Sequence, residues 1–258
     1  MLKKTRKTTL AAALLAGGLL TTVSAQAATI TVAVAANFTK AAEEIGAAWE
    51  ETSGHDVRFS FGPSGKLLAQ IQNGAPFDAY FSADTGRPEI LVKSGDARDS
   101  FVYAQGKLAL YSMNLPVDEQ AEEILATGEF RHMASANPKA APYGLAAQQV
   151  LEKRDLYQRY REDGKIATGE SITQTFQFVT TGNAQLGFVA LSQLRDPESP
   201  VKDKGHVWMP PVEDYDPIEQ GAAALTRSER PEVVDDFLAF VHSDQGAAII
   251  KKYGYNAP

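Results

Sequence analysis

The chain has 258 residues, 44% of them hydrophobic, a formal net charge of −7 and no cysteine. An acidic surface argues against nucleic acid or an anionic membrane as partner, and the missing thiols exclude disulfides and a lipid-modified N-terminal cysteine. The length fits one large domain or two small ones, with a core that needs no covalent staples.

Residues 1–27 read as a targeting segment. Lys3, Lys4, Arg6 and Lys7 form a basic region, residues 10–20 are apolar and uncharged, and Ala25-Gln26-Ala27 is a small-x-small cleavage site. The apolar run is shorter than the roughly 20 residues that a bilayer span needs. Cleavage leaves 231 residues beginning at Ala28, with a charge near −11. The expectation is a soluble, unanchored periplasmic protein, acting as a monomer.

A strand is predicted over residues 30–36, followed by Asn37 and a helix carrying Phe38, Ala41, Ala42, Ile45, Ala48 and Trp49 at helical spacing. Residues 56–61 form the next strand, Gly62-Pro63-Ser64-Gly65 a turn, and Leu67, Leu68 and Ile71 the inner face of a helix ending at Asn73-Gly74. Residues 78–83 and 107–113 read as strands. A new set follows Pro116: a helix from about Asp118, a strand over 132–136, a helix after Pro142, a further segment over 157–161, a helix from about Ser171 and a strand over 185–190. Residues 207–211 and 218–225 are extended, and helices cover 231–242 and 243–253, with Pro231 suited to a first helical position. Alternating strands and helices imply an α/β fold. Two lobes are expected, residues 28–110 plus 212–258 and residues 111–211, joined by a hinge with a ligand cleft between them.

Four places repeat one arrangement, a small polar or glycine-rich turn running straight into a helix: Ala36-Asn37, Gly62-Pro63-Ser64-Gly65, Pro142-Tyr143-Gly144 and Glu170-Ser171-Ile172. Helix starts present unpaired N–H groups and a partial positive charge, so several aimed at one point bind an anion without Arg or Lys. Singly, Asn37 and Ser64 also suit ordinary N-caps, Pro142 a helix starter and Ile172 a core position. Catalytic patterns are weak. A P-loop fails because Ser60 and Leu67 occupy its first-glycine and Ser/Thr positions. The four histidines lack metal-ligand spacing, no G-x-S-x-G elbow occurs, and Asp78 and Asp84 read as a cap and a turn rather than an acid/base pair.

Several segments resemble the molybdate-binding periplasmic components of ABC transporters, the ModA family. They are Val32-Ala33-Val34-Ala35-Ala36-Asn37-Phe38, Phe61-Gly62-Pro63-Ser64-Gly65-Lys66-Leu67, Gly74-Ala75-Pro76-Phe77-Asp78-Ala79-Tyr80-Phe81-Ser82-Ala83-Asp84, Asn137-Pro138 with Pro142-Tyr143-Gly144, Gln185-Leu186-Gly187-Phe188-Val189, and the tail over residues 247–255. The resemblance implies the two-lobed type II binding-protein fold, an oxyanion in the cleft, an inner-membrane ABC permease as partner, no cofactor and no catalysis. It also implies roles. Asn37, beside Ala36, is to donate through side chain and backbone, Ser64 through hydroxyl and backbone, and Tyr143 and Ile172 through backbone N–H. Where many members carry an anion-touching Tyr, this chain has Ala190, and the Tyr143 phenol is the expected substitute.

A site made only of donors rejects a protonated anion, whose O–H would stay unpaired. Phosphate and arsenate are then excluded by their proton and sulfate by its smaller size, while tungstate is expected to bind like molybdate. Alternatives left open are a binder of sulfate, thiosulfate or a phosphonate, a periplasmic hydrolase, and a ligand-sensing module.

Overall fold

The computed structural model describes residues 27–256. The basic and apolar stretches of the leader lie outside these residues. In chain order the elements are β1 (Thr29–Ala35), a 3-10 turn (Ala36–Phe38), α1 (Thr39–Ser53), β2 (Asp56–Gly62), α2 (Ser64–Gln72), β3 (Ala79–Phe81), α3 (Gly86–Ser94) and β4 (Ala97–Gly106). Then come β5 (Leu108–Ser112), α4 (Val117–Thr127), β6 (Met133–Ala136), α5 (Pro142–Glu152), α6 (Tyr157–Glu162), β7 (Ile166–Gly169), α7 (Ile172–Thr180), β8 (Leu186–Ala190), α8 (Leu191–Arg195) and β9 (His206–Trp208). A second 3-10 turn (Val212–Asp214) leads to β10 (Ile218–Leu225), α9 (Pro231–His242) and α10 (Asp244–Lys252).

These strands form two five-stranded sheets, ordered β2-β1-β3-β10-β4 and β7-β6-β8-β5-β9. Burial explains the order. The central strands β3 and β8 are buried at every position, as strands covered on both faces must be. At the edge, β2 exposes Asp56, Arg58 and Phe61. Both sheets are mixed: β10 runs antiparallel to β3 and β4, and β5 antiparallel to β8 and β9. Helices cover both. On the first sheet α1, α9 and α10 bury Trp49, Phe237 and Ile250 in one core. The Trp49 Nε1 donates to Asp236 at 2.7 Å, so the indole nitrogen is not left unpaired.

Lys107 alone separates β4 from β5, so the chain changes sheets there, and it returns between β9 and β10. The sequence reading passed over residues 84–106, which hold α3 and β4, because their apolar positions are sparse and irregular. It also missed β7, a four-residue edge strand with a single fully buried position.

Candidate functional site

Parallel pairing brings the helix-start turns together. Ala35 lies opposite Gly62 and Val34 opposite Phe81, so Ala36-Asn37, Pro63-Ser64 and Ser82-Ala83 leave the first sheet side by side. In the second sheet Ala136 lies opposite Gly169, which sets the approach to Pro142 beside Glu170-Ser171-Ile172. These are carboxyl ends of parallel strands, where open α/β sheets bind ligands. The two ends face each other and touch. Gly65 N–H donates to the Ala140 carbonyl at 3.0 Å, Thr173 Oγ1 to the Ala36 carbonyl at 3.5 Å, and Ser192 Oγ to the Asn37 carbonyl at 3.0 Å. Ala35, Ala83, Tyr143, Ile172 and Ala190 belong to one apolar cluster across this seam, with Ala36 packed against it.

Local geometry leaves donors unpaired at each turn. Ser64 and Ile172 are first residues of α2 and α7, and Tyr143 follows Pro142 at the start of α5. Their N–H groups, and that of Asn37 in its 3-10 turn, have no hydrogen-bond partner among the described residues. The α5 start can sit this low because Gly144 has no side chain: a Cβ there would lie 2.3 Å from the Ala136 carbonyl oxygen. Neither Ser64 nor Asn37 caps a helix; Pro63 is the residue before α2, and no side-chain cap bond is made. Instead Ser64 Oγ accepts from Ala83 N–H at 3.0 Å, which leaves the hydroxyl hydrogen for a further acceptor. Tyr80 OH donates to the Ser64 carbonyl at 2.8 Å and fixes the turn from below.

The Ala36–Asn37 peptide is aimed in a defined direction. Ala36 C=O accepts from Thr39 Oγ1 at 2.9 Å and from Thr173 Oγ1 at 3.5 Å, and these residues with Asn37 line a cavity of about 180 Å³. A trans peptide points its N–H the opposite way from its C=O, so Asn37 N–H points away from the two threonine hydroxyls. Phe38 anchors the same turn, packing edge-on against Tyr103 and Tyr255 at centroid distances of 4.8 and 5.3 Å.

The Asn37 side chain departs from the sequence expectation of a free donor. Its Nδ2 is engaged by Gln220 Oε1 at 2.8 Å and Tyr255 OH at 3.0 Å, so both amide hydrogens point inward. Tyr255 OH in turn donates to the Asn37 carbonyl at 2.7 Å. Gln220 Oε1 also accepts from Tyr103 OH at 2.9 Å, and Gln220 Nε2 faces Tyr143 OH at 3.4 Å. Burial is the main force raising the hydroxyls of Tyr103 and Tyr143 well above the usual phenol range, and it pushes Tyr255 up to about 12. All three are neutral hydroxyls at physiological pH. Ala190 is fully buried and offers only its N–H, which donates to Gln193 Oε1 at 3.0 Å.

Gln220, Tyr103, Tyr255 and Ser192 escaped the sequence reading. Gln220 is a lone amide in an apolar strand and is fully buried; that pattern is a signal, since such a group must find partners. No site residue carries a positive side chain. Lys66 is paired with Glu170 at 3.2 Å across the seam, and Arg87 with Asp84. Asp78 bonds Thr31 N–H at 2.7 Å and Ser228 Oγ at 2.7 Å, a structural role on β1. Among the described residues no group of three or more His, Cys, Asp or Glu could hold a metal ion, and no helix is long and apolar enough to cross a membrane.

Residues 30–256 match the model of the bacterial extracellular solute-binding proteins. The molybdate-binding protein ModA of Rhodobacter capsulatus is 42% identical over 233 residues, covering 90% of this chain and 89% of that protein. ModA of Azotobacter vinelandii is also 42% identical, over 90% of this chain and 91% of its own. The chain belongs to the ModA family of solute-binding proteins. The solved structure of the Azotobacter vinelandii periplasmic molybdate-binding protein superposes with a TM-score of 0.84 at 35% identity, covering 89% of this chain and 99% of that one. The sulfate-binding protein SubI of Mycobacterium tuberculosis, 13% identical with a TM-score of 0.76, shares the two-lobed fold. Family membership agrees with a fold whose two sheets present their carboxyl ends to one another.

Proposed function

We propose that the chain is exported to the periplasm, captures molybdate, or tungstate in its place, between its lobes and delivers it to an inner-membrane ABC permease, without catalysis. The observation that carries this reading is the set of unpaired N–H groups of Asn37, Ser64, Tyr143 and Ile172 at facing sheet ends, in a family whose named relatives bind molybdate. The Ser64 hydroxyl adds a fifth donor, and Ala36 shapes the wall. The closing units are the lobe that carries the first sheet and the lobe that carries the second, hinged at Lys107, just before β5, and at the return before β10. Ligand binding then selects the closed form.

Asn37 serves through its backbone alone, because its amide hydrogens are taken. At the position of Ala190 no hydroxyl is available, and the Tyr143 phenol supplies the missing donor. Support comes from Gln220, whose Nε2 meets the Tyr143 oxygen as a donor, so the phenol hydrogen is not spent on Gln220. Tyr143→Phe is therefore expected to weaken molybdate binding about tenfold, the worth of about 1.4 kcal/mol; wild-type affinity in that variant refutes the role.

Selectivity follows from the donor-only lining. Hydrogen phosphate would bring an O–H with no acceptor to meet it, at a penalty of about 1–3 kcal/mol. Calorimetric titration with molybdate, tungstate, sulfate and phosphate tests the reading. Tight molybdate and tungstate with weak sulfate and phosphate is expected. Tight sulfate binding would reassign the site to a smaller oxyanion, and binding of none would end the capture reading.

A further inference from the structure

Gln220 stands out in β10. It is fully buried, and its neighbours from Gly221 to Leu225 are small or apolar. A carboxamide there is costly unless satisfied, and its partners are unusual in kind. Oε1 takes hydrogens from Asn37 Nδ2 at 2.8 Å and Tyr103 OH at 2.9 Å, both from elements of the first sheet. Nε2 faces Tyr143 OH at 3.4 Å, which α5 brings from the other side of the cleft. One side chain thus touches two of the turns that carry unpaired N–H groups, one from each lobe.

We propose that Gln220 is a positioning residue for the anion site: its carboxamide holds Asn37 within one lobe and meets Tyr143 from the other, so closing the lobes and setting both donors are one event. The inference rests on the anion-capture reading above. Three features carry it. First, the Asn37 amide hydrogens are spent on Gln220 and Tyr255, so this side chain fixes its own turn and does not reach the ligand. Second, Gln220 Oε1 already accepts two hydrogens, and the group turned to Tyr143 is a donor. The phenol therefore accepts from Gln220 and keeps its own hydrogen for another acceptor. Third, the meeting point lies on the sheet-changing segment. A Cβ on Gly106, one residue before the crossing at Lys107, would lie 2.7 Å from Gln220 Nε2 and closer still to Tyr143 OH. Separating the lobes would withdraw Tyr143 and leave Gln220 Nε2 without its protein partner.

The test is a double-mutant cycle on the purified protein, read as molybdate affinity by calorimetry. Gln220→Met keeps length and volume but removes both polar ends. It is expected to weaken binding about tenfold, and Tyr143→Phe added to it should cost less than a further twofold, because the link is already broken. A residue that only fills the core would lower thermal stability and leave affinity within twofold, and that result overturns the proposal. So do losses that simply multiply in the double variant. Should Gln220→Met fail to fold, Tyr103→Phe removes one of the two hydrogens on Oε1 and retains the ring; at least a threefold loss of affinity is expected, and none refutes the proposal. A wild-type protein that binds no molybdate overturns both readings, whereas tight wild-type binding with an indifferent Gln220→Met overturns this one alone.

Discussion

Ser64→Ala separates the two jobs of one hydroxyl. Ser64 Oγ accepts from Ala83 N–H at 3.0 Å, and both residues are buried. Removing the oxygen orphans that amide in the ligand-free protein, at about 1–3 kcal/mol. For a chain of this size each kcal/mol moves Tm by about 2–4 °C, so a fall of roughly 2–12 °C is expected by differential scanning calorimetry. The variant also deletes the proposed O–H donor to a charged ligand, worth about 1.5–3 kcal/mol, for which roughly a 10- to 150-fold rise in the molybdate Kd is expected. Both changes are measurable on one preparation. A lower Tm with unchanged affinity would mean that Ser64 only braces Ala83, and the hydroxyl would have to be struck from the site. Unchanged Tm with lost affinity would contradict the Ala83 bond instead.

Ile172 tests the claim that backbone, not side chain, does the binding. It is the first residue of α7 and follows an extended Ser171 with φ −142° and ψ 164°, a setting in which proline fits. Ile172→Pro deletes the N–H and is expected to weaken molybdate binding at least tenfold, while Ile172→Val should keep affinity within about threefold; equal affinities in the two would refute a backbone donor. Alkaline stability offers a separate check. Burial raises the phenols of Tyr103 and Tyr143 well above the usual range and pushes Tyr80 and Tyr255 up to about 12. Above about pH 10 the unfolded chain releases these protons and the folded one keeps them, so stability is complete below that pH and falls as pH rises. Tm should drop steeply between about pH 10 and 12, and a flat profile there would contradict the buried network.

The residues legible in the sequence are those whose signal is local. Central strands show as apolar runs, and the turns at Asn37, Ser64, Tyr143 and Ile172 show as punctuation before helical periodicity. Convergence of those turns was a separate matter. It depends on parallel register, Ala35 against Gly62 and Ala136 against Gly169, and on contacts such as Gly65 to Ala140 that join residues 75 positions apart. Side-chain direction was equally hidden. Asn37 carries the right chemistry for a donor, yet Gln220 and Tyr255, each more than 180 residues away, turn it inward. The gap over residues 84–106 has a plainer cause: β4 is an edge strand that exposes Arg98, Asp99 and Ser100 and so lacks a clean alternation.

The proposed capture of an anion by an acidic protein requires that capture be separate from attraction at a distance. Without residues 1–27 the chain carries a charge near −11, which repels a dianion approaching from solvent. At the site, α2, α5 and α7 each add about half a positive charge at their first turns, and this field counts fully only once water is displaced. The Debye length is about 8 Å at physiological salt, so added salt weakens the long-range repulsion much more than the contacts inside a closed cleft. The molybdate association rate, followed by stopped-flow Trp fluorescence, is therefore expected to rise about two- to fivefold from 0.01 to 0.15 M salt, with the dissociation rate nearly constant. The opposite slope would mean that a cation steers the anion in. Lys40, Lys66 and Arg87, each paired with a carboxylate beside the seam, would then be the side chains to neutralise, and the idea of binding by helix starts alone would be incomplete.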